Sequence, residues 1–442
     1  MASKKNIMKK IYLLFTLFCF GGVVQAQALP ADTLSKLVKQ LSTDVSQLKN
    51  LKITGWVQTQ YQWTQTPGAK TFDGGDFITN SNNRFMIRRG RFKLTYTKGL
   101  VQSVVQINAT ERGVNLVEYY GKLSNPWVSS LSVTAGVMNR PFGFEIQQSS
   151  ADRETPERAR FTQILLPNER DLGAMISFQP EKGKKLYGLK LDAGLYDGTG
   201  IAVPGTGSLN SAGVVEFDQY KDFIGRAHYK RQAFKEHLTF GIGLSGYYGG
   251  NAYQNNRVFE MGTDANGASY WMLQDTTAQS FKGTRSPRQY LGMDAQASLK
   301  TKIGTTTVRV EYITGTQSGL IDDTRSPIAL PSKPDTYIRQ FNGGYAYFIQ
   351  RIAQTKHEIA LKYEWYDPNT SVDNNAIKNS PLLGKAELKY TMLGLGYNYY
   401  INENCKLMVY YNMVTNEATP TITGFTEDLK DDVLTVRLQF RF

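Results

Sequence analysis

Histidine and cysteine are nearly missing from this chain, with three of the first and two of the second in 442 residues. His228, His237 and His357 all fall beside short connections between alternating segments, and none lies in a long loop. An imidazole-based acid–base or serine mechanism at a loop surface therefore has no candidate. No CxxC, HExxH or glycine-rich phosphate-binding spacing is present either, so the chain reads as neither an enzyme nor a cofactor or metal binder. Beyond residue 26 there is also no long apolar run, which excludes spanning helices of about 20 residues.

The single apolar run, Ile11 to Phe20, follows Lys4, Lys5, Lys9 and Lys10 and is closed by Val24-Gln25-Ala26. That is the three-part layout of a secretory signal peptide, and the run is too short to cross a bilayer. Cys19 follows Phe18 rather than a small residue, which argues against a lipoprotein. Cleavage is expected after Ala26, with Ala28 as a second position. Losing four lysines lowers the formal charge from +13 to +9. Cys405 is then left alone on the apolar parity of a segment, a small hydrophobe with no partner for a disulfide. A basic balance in an exported chain points away from nucleic acid and toward a solvated surface or a path for anionic small molecules.

What the chain does have is aromatics and glycine: 26 Tyr, 22 Phe and 40 Gly. They fall in segments of strict alternation. Ile359, Leu361, Tyr363 and Trp365 alternate with Glu358, Ala360, Lys362 and Glu364. In the last twelve residues, Leu434, Val436, Leu438, Phe440 and Phe442 alternate with Thr435, Arg437, Gln439 and Arg441. Successive side chains of a strand point opposite ways, so each segment offers one face to oil and one to water. Aromatics gather near segment ends, and short connections alternate with long ones near 65–83, 140–170, 200–220, 249–287, 316–338, 368–385 and 416–431. These are marks of an all-β fold, a transmembrane antiparallel β-barrel. Counting from Ile53 gives about 16 strands, enough for an aqueous lumen. The last strand must pair with the first, because an open edge in lipid leaves backbone groups unsatisfied.

The expected organisation is a signal peptide over 1–26, a periplasmic helical segment over 27–52 and the barrel over 53–442. In the second part Leu34, Leu41 and Leu48 sit seven apart, with Val38 and Val45 between them, which is the a/d seam of a short coiled coil. Such a coil gains from barrels already held as an oligomer. An amphipathic helix or a disordered lead-in is the plainer alternative.

Candidate pore residues come from two places. In RFMIRRGRFKLTYT, Arg89, Arg91 and Lys93 share one parity and Gly90, Phe92, Leu94 and Tyr96 the other, so three cations form a column spaced ~6.6 Å on the inner wall. Such a column lowers the barrier for an anion at each step without trapping it. Glu111, Glu118, Asp192, Glu311 and Glu364 are expected to face inward as well. The long segment 139–173 is nearly charge-balanced, with Arg140, Arg153, Arg158, Arg160 and Arg170 against Glu145, Asp152, Glu154, Glu157, Glu169 and Asp171. Its Phe142, Phe144, Ile146, Phe161, Ile164 and Leu165 argue that it packs rather than trails. A constriction loop folded inward near 140–170 is expected, and a surface loop is the alternative.

At these residues the chain resembles a known family. RRGRFKLTYTKG, VEYYGKL at 117–123, LSVTAGVMNRPFGFE at 131–145, ERDLG at 169–173, GLYDGTG at 194–200 and FIGRAHY at 223–229 are similar to the ordered landmarks of the phosphate-selective porin O and P family of bacterial outer-membrane porins. The resemblance spans the barrel, 53–442, and implies a homotrimer of 16-stranded barrels whose constriction is lined by arginines. A final Phe442 also resembles the C-terminal sorting signal read by barrel-assembly machinery. Only Arg89, Arg91 and Arg140 match the family's arginine positions, and the loop over 249–287 lacks its lysine cluster. The expected function is passive diffusion of small solutes through the outer membrane, among outer-membrane lipid, with an anion preference, phosphate as one candidate solute, carried by Arg89, Arg91, Lys93, Arg140, Arg153, Arg158 and Arg160. A porin for neutral or sugar-like solutes and a non-conducting surface-binding barrel are the alternatives.

Overall fold

Alternation becomes hydrogen-bonded barrel strands of 8 to 17 residues in the computed structural model. It describes residues 35–36, 39–40, 45, 48–200, 218–275, 277, 280–325, 335–372, 377 and 383–442. The signal segment with its cleavage after Ala26, and the heptad positions Leu34, Val38 and Leu41, lie outside the described residues, as does most of the 200–220 loop.

The strands are β1 (Leu51–Thr64), β2 (Asn83–Lys98), β3 (Val101–Thr110), β4 (Gly113–Ser124), β5 (Leu131–Asn139), β6 (Arg170–Phe178), β7 (Leu189–Tyr196), β8 (Asp222–Ala233) and β9 (Leu238–Gly249). There follow β10 (Val258–Thr263), β11 (Ser269–Leu273), β12 (Arg288–Thr301), β13 (Gly304–Gly319), β14 (Thr336–Ile352), β15 (His357–Asp367), β16 (Tyr390–Asn402), β17 (Cys405–Asn416) and β18 (Val433–Arg441). One short helix, α1 (Arg160–Leu165), lies between β5 and β6. All but β10 and β11 form one closed antiparallel ring of 16 strands, in which β9 pairs with β12 and β18 with β1. The β10–β11 hairpin stands on the long-loop side and extends the sheet by two parallel pairs, Val258↔Thr336 and Phe259↔Tyr337.

Closure is tight. β1 and β18 pair from Trp56↔Arg441 to Thr64↔Val433. Gly55 and Phe442 then exchange two backbone hydrogen bonds of 3.0 Å. A Cβ on Gly55 would sit 2.3 Å from the Phe442 ring and 2.4 Å from the Arg91 carbonyl oxygen, so only glycine lets the seam approach β2 this closely.

Burial is inverted relative to a water-soluble core. Gln58, Gln60, Gln62, Lys362, Glu364 and Arg437 are buried, while Leu195, Ile242, Met293, Ile359 and Tyr363 are exposed. Apolar atoms outside and satisfied polar atoms inside is the arrangement that a bilayer solvent demands. At one end the strands are joined by turns of 2 to 10 residues; at the other the connections are long, except Glu111–Arg112 between β3 and β4. Glu111 therefore does not face the lumen as the parity count suggested. It sits in that tight turn and accepts the Ile87 backbone N–H at 3.0 Å, satisfying a strip of β2 that β3 is too short to pair.

Candidate pore and the loop that crosses it

Residues 140–169 leave β5 and run along the inside of the wall. Near the start, Gly143 takes φ +60 and would place a Cβ 2.0 Å from the Glu311 carboxylate. This glycine lets the backbone N–H groups of Phe144 and Glu145 donate to Glu311 on β13, both at 3.0 Å, where Tyr345 of β14 also donates at 2.7 Å. Glu145 folds the loop on itself: its carboxylate accepts the Ala159 N–H and the Thr162 hydroxyl, each at 2.9 Å, and the Tyr347 hydroxyl at 3.2 Å. Phe142, Ile146, Phe161, Ile164 and Leu165 are buried in a cluster with Tyr290, Phe341, Tyr345, Tyr347 and Tyr366 of the wall.

Further along, wall side chains donate to loop carbonyls. Gln58 reaches Ser150 O at 3.0 Å, Gln439 reaches Ala151 O at 3.0 Å, Lys406 reaches Arg153 O at 2.8 Å, Asn398 reaches Glu154 O at 3.0 Å and Arg437 reaches Pro156 O at 2.8 Å. Loop carboxylates meet wall cations in turn: Asp152 with Arg441 at 2.8 Å and Glu154 with Arg309 at 2.6 Å. The loop is thus hydrogen-bonded to β1, β2, β9 and β13–β18. Cations on the wall and carboxylates on the loop account for its path.

The densest charge lies around Glu157. Its carboxylate accepts Arg88 at 2.8 Å, Arg89 at 2.6 Å and Arg437 at 3.0 Å. Arg88 and Arg89 are consecutive yet reach the same group, so β2 departs from alternation between them. On the long-loop side, Arg84 bonds Gln62 at 2.8 Å and Met86 accepts Gln60 at 3.4 Å, so the inward parity is even. On the other side it is odd, with Arg91 and Lys93 inward. The parity count found Arg89, Arg91 and Lys93 and put Arg437 on the polar face of its strand without counting it among the pore residues; it missed Arg84 and Arg88, because an irregularity inside a strand leaves no periodic trace.

The seven expected pore residues fall into different settings. Lys93 pairs with Glu118 at 2.8 Å, and Glu118 also takes Arg170 at 3.1 Å. Arg91 has Nε and Nη1 buried without an acceptor among the described residues. Arg140 is fully buried and ties the two ends of the loop, its Nη2 donating to Pro167 O at 2.7 Å and its N–H to Glu169 O at 3.0 Å. Arg158 pairs with Glu169 and donates to Glu145 O at 2.9 Å and Gln148 O at 3.0 Å. Arg160 lies over the rings of Tyr390 and Phe72, 4.1 and 4.6 Å from their centroids. Arg153 differs from all of them: it is 2 % exposed, and none of its three guanidinium nitrogens has a partner among the described residues. A small, partly open cleft lies where the loop meets the wall and residues 65–82, bordered by Phe72, Asp73, Glu157, Lys362, Glu364 and Tyr410.

A closed antiparallel ring with apolar residues outside, polar residues inside and a loop across the lumen defines a transmembrane β-barrel of the porin type. Residues 333–442 match the family described as phosphate-selective porin O and P, the same family that the landmark segments resemble. The fold is similar to that of OprB of Pseudomonas putida, solved at high pH, with 10% identity, TM-score 0.56 and coverage of 91% of this chain and 96% of that one. It is also similar to the outer membrane channel DcaP of Acinetobacter baumannii, with 12% identity, TM-score 0.50 and coverage of 89% and 97%. No curated protein matches the chain.

Proposed function

We propose that this barrel is an outer-membrane diffusion channel for small solutes with a preference for anions, phosphate among them. The observation that carries the reading is the excess of guanidinium around Glu157. Arg88, Arg89 and Arg437 share that single carboxylate, and the neighbouring Arg153 and Arg91 keep buried donors that no described protein group accepts. Planar donors held in place are the chemistry that recognises oxyanions. The passage runs between the loop and the wall from β3 to β8, beside Lys93 of β2, with Arg170 of β6 and Lys190 of β7 partly exposed along it.

The neutral-solute alternative gains less support. It needs aromatics free to stack on a sugar ring, yet Tyr290, Tyr345, Tyr347 and Phe341 are buried against the loop. A homotrimer joined by the heptad positions of 27–52 remains part of this reading, as does Phe442 as the sorting signal. Single-channel current in a planar bilayer tests the whole. Chloride steps in threes that millimolar phosphate blocks support it. Steps indifferent to phosphate leave a general porin, and a barrel that never conducts overturns the channel.

A further inference from the structure

The turns at the short-connection end carry a feature the channel does not use. Between β6 and β7, β8 and β9, and β12 and β13, three neighbouring turns with the adjoining end of β12 expose Lys182, Lys184, Lys185, Lys235, Lys300 and Lys302 against only Glu181 and Glu236. None of the six lysines forms a salt bridge among the described residues. The turns are stitched side by side, Lys230 N–H to Gly188 O at 2.9 Å and Lys300 N–H to His237 O at 2.8 Å, so the charges form one arc of the rim.

Each turn also presents an apolar side chain to the outside: Leu186, Phe234 and Ile303, with Trp127 on the adjoining β4–β5 turn. Phe234 is 75% exposed and Trp127 88%. Phe234, Lys235 and Glu236 all adopt positive φ, at 51, 52 and 70. Three consecutive non-glycine residues in the left-handed region cost backbone energy and persist where a function holds them. Immediately toward the lipid-facing belt, the Arg231 guanidinium stands over Tyr187 and Tyr229 at 5.2 and 5.6 Å from their centroids. Aromatic rings at that level mark the membrane–water interface, so the lysines a few residues beyond stand at headgroup depth.

We propose that this arc binds anionic phospholipid headgroups of the leaflet facing the short turns, with Phe234 and its neighbours inserted between them. Uncompensated lysines supply the attraction to phosphate diesters, and the apolar tips require a partner with a hydrocarbon layer rather than a soluble anion. The inference rests on the barrel being membrane-spanning and is independent of what it conducts.

The test uses the purified full-length barrel in zwitterionic micelles, titrated with brominated phosphatidylglycerol or brominated phosphatidylcholine while Trp127 fluorescence is followed by difference against Trp127→Phe. Replacing Lys182, Lys184, Lys185 and Lys235 with Gln is expected to weaken phosphatidylglycerol quenching about tenfold and leave phosphatidylcholine unchanged, with heat-modifiable mobility on gels reporting an intact barrel. Phe234→Gly removes the tip and relieves its backbone without touching charge, and is expected to weaken the same lipid's binding while the barrel becomes no less stable. Equal quenching by both lipids in the unaltered protein overturns the proposal. So does a lysine variant with unchanged lipid affinity that instead loses salt-sensitive co-sedimentation with peptidoglycan sacculi. Conductance, measured separately, judges the channel alone.

Discussion

Glu311 of β13 accepts the backbone N–H of Glu145 at 3.0 Å, and the N–H of Phe144 at the same distance. One wall carboxylate thus anchors the start of the lumen loop through main-chain groups, which no side-chain change in the loop short of proline can remove. Glu311→Leu strands these donors and the Tyr345 hydroxyl, at roughly 1–3 kcal/mol for each one left unpaired. The loop is expected to loosen, seen as larger, noisier single-channel conductance and faster protease cleavage within 140–169. Unchanged conductance would show that the loop does not constrict.

Arg153 has buried donors and no described acceptor, whereas Arg437 bonds Gln60, Pro156 O and Glu157. Arg153→Ala is therefore expected to weaken phosphate block about tenfold, near 1.4 kcal/mol, with little change in unfolding temperature. Arg437→Ala should lower both. Dose–response curves of phosphate on chloride current, beside thermal unfolding of the same samples, separate the two.

Removing cations and removing their counter-charge should act with opposite signs. Replacing Arg89 and Arg91 with Ala is expected to lower chloride over potassium permeability several-fold, and Glu157→Gln to raise it. Reversal potentials in a salt gradient read both; a shift in the same direction for the two variants contradicts the electrostatic role.

Burial pushes the carboxyls of Asp73 and Asp431, both in connections outside the spanning strands, up to about 6. A carboxyl raised in this way is neutral below that value and charged above it. Lowering pH from 7.5 to 5 hence removes two negative charges on the β15–β18 side of the lumen, and through the field they add to the lumen as a whole, anion selectivity is expected to rise through pH 6. Asp73→Asn with Asp431→Asn should hold the low-pH selectivity at every pH.

At the seam, Gly55→Ala drives a methyl group into the Arg91 carbonyl and the Phe442 ring. Barrel assembly is expected to fail or slow severely, measured as loss of the heat-modifiable folded band. Gly121→Ala, where a Cβ meets nothing within 4 Å, serves as the control.

Much of the wall was legible because its code is local. In β15 the inward set Glu358, Ala360, Lys362 and Glu364 and the outward set Ile359, Leu361, Tyr363 and Trp365 follow from period two alone, as does Arg437 facing in from β18. Glu111 was misplaced because a two-residue connection looks like continued strand. Arg88 was missed because two adjacent arginines show no mark of an irregular strand.

The sequence by itself determined the fold class, the strand count near 16 and the faces of the strands, since alternation is written residue by residue. Only the tertiary structure decided which charges are neutralised and which stand free. Glu157 meets Arg88 and Arg437 across 69 and 280 positions of chain, and Arg153, identical in type to its neighbours, is left without an acceptor among the described residues. Ion pairing depends on a few ångströms between groups far apart in the chain, and no periodicity records that distance.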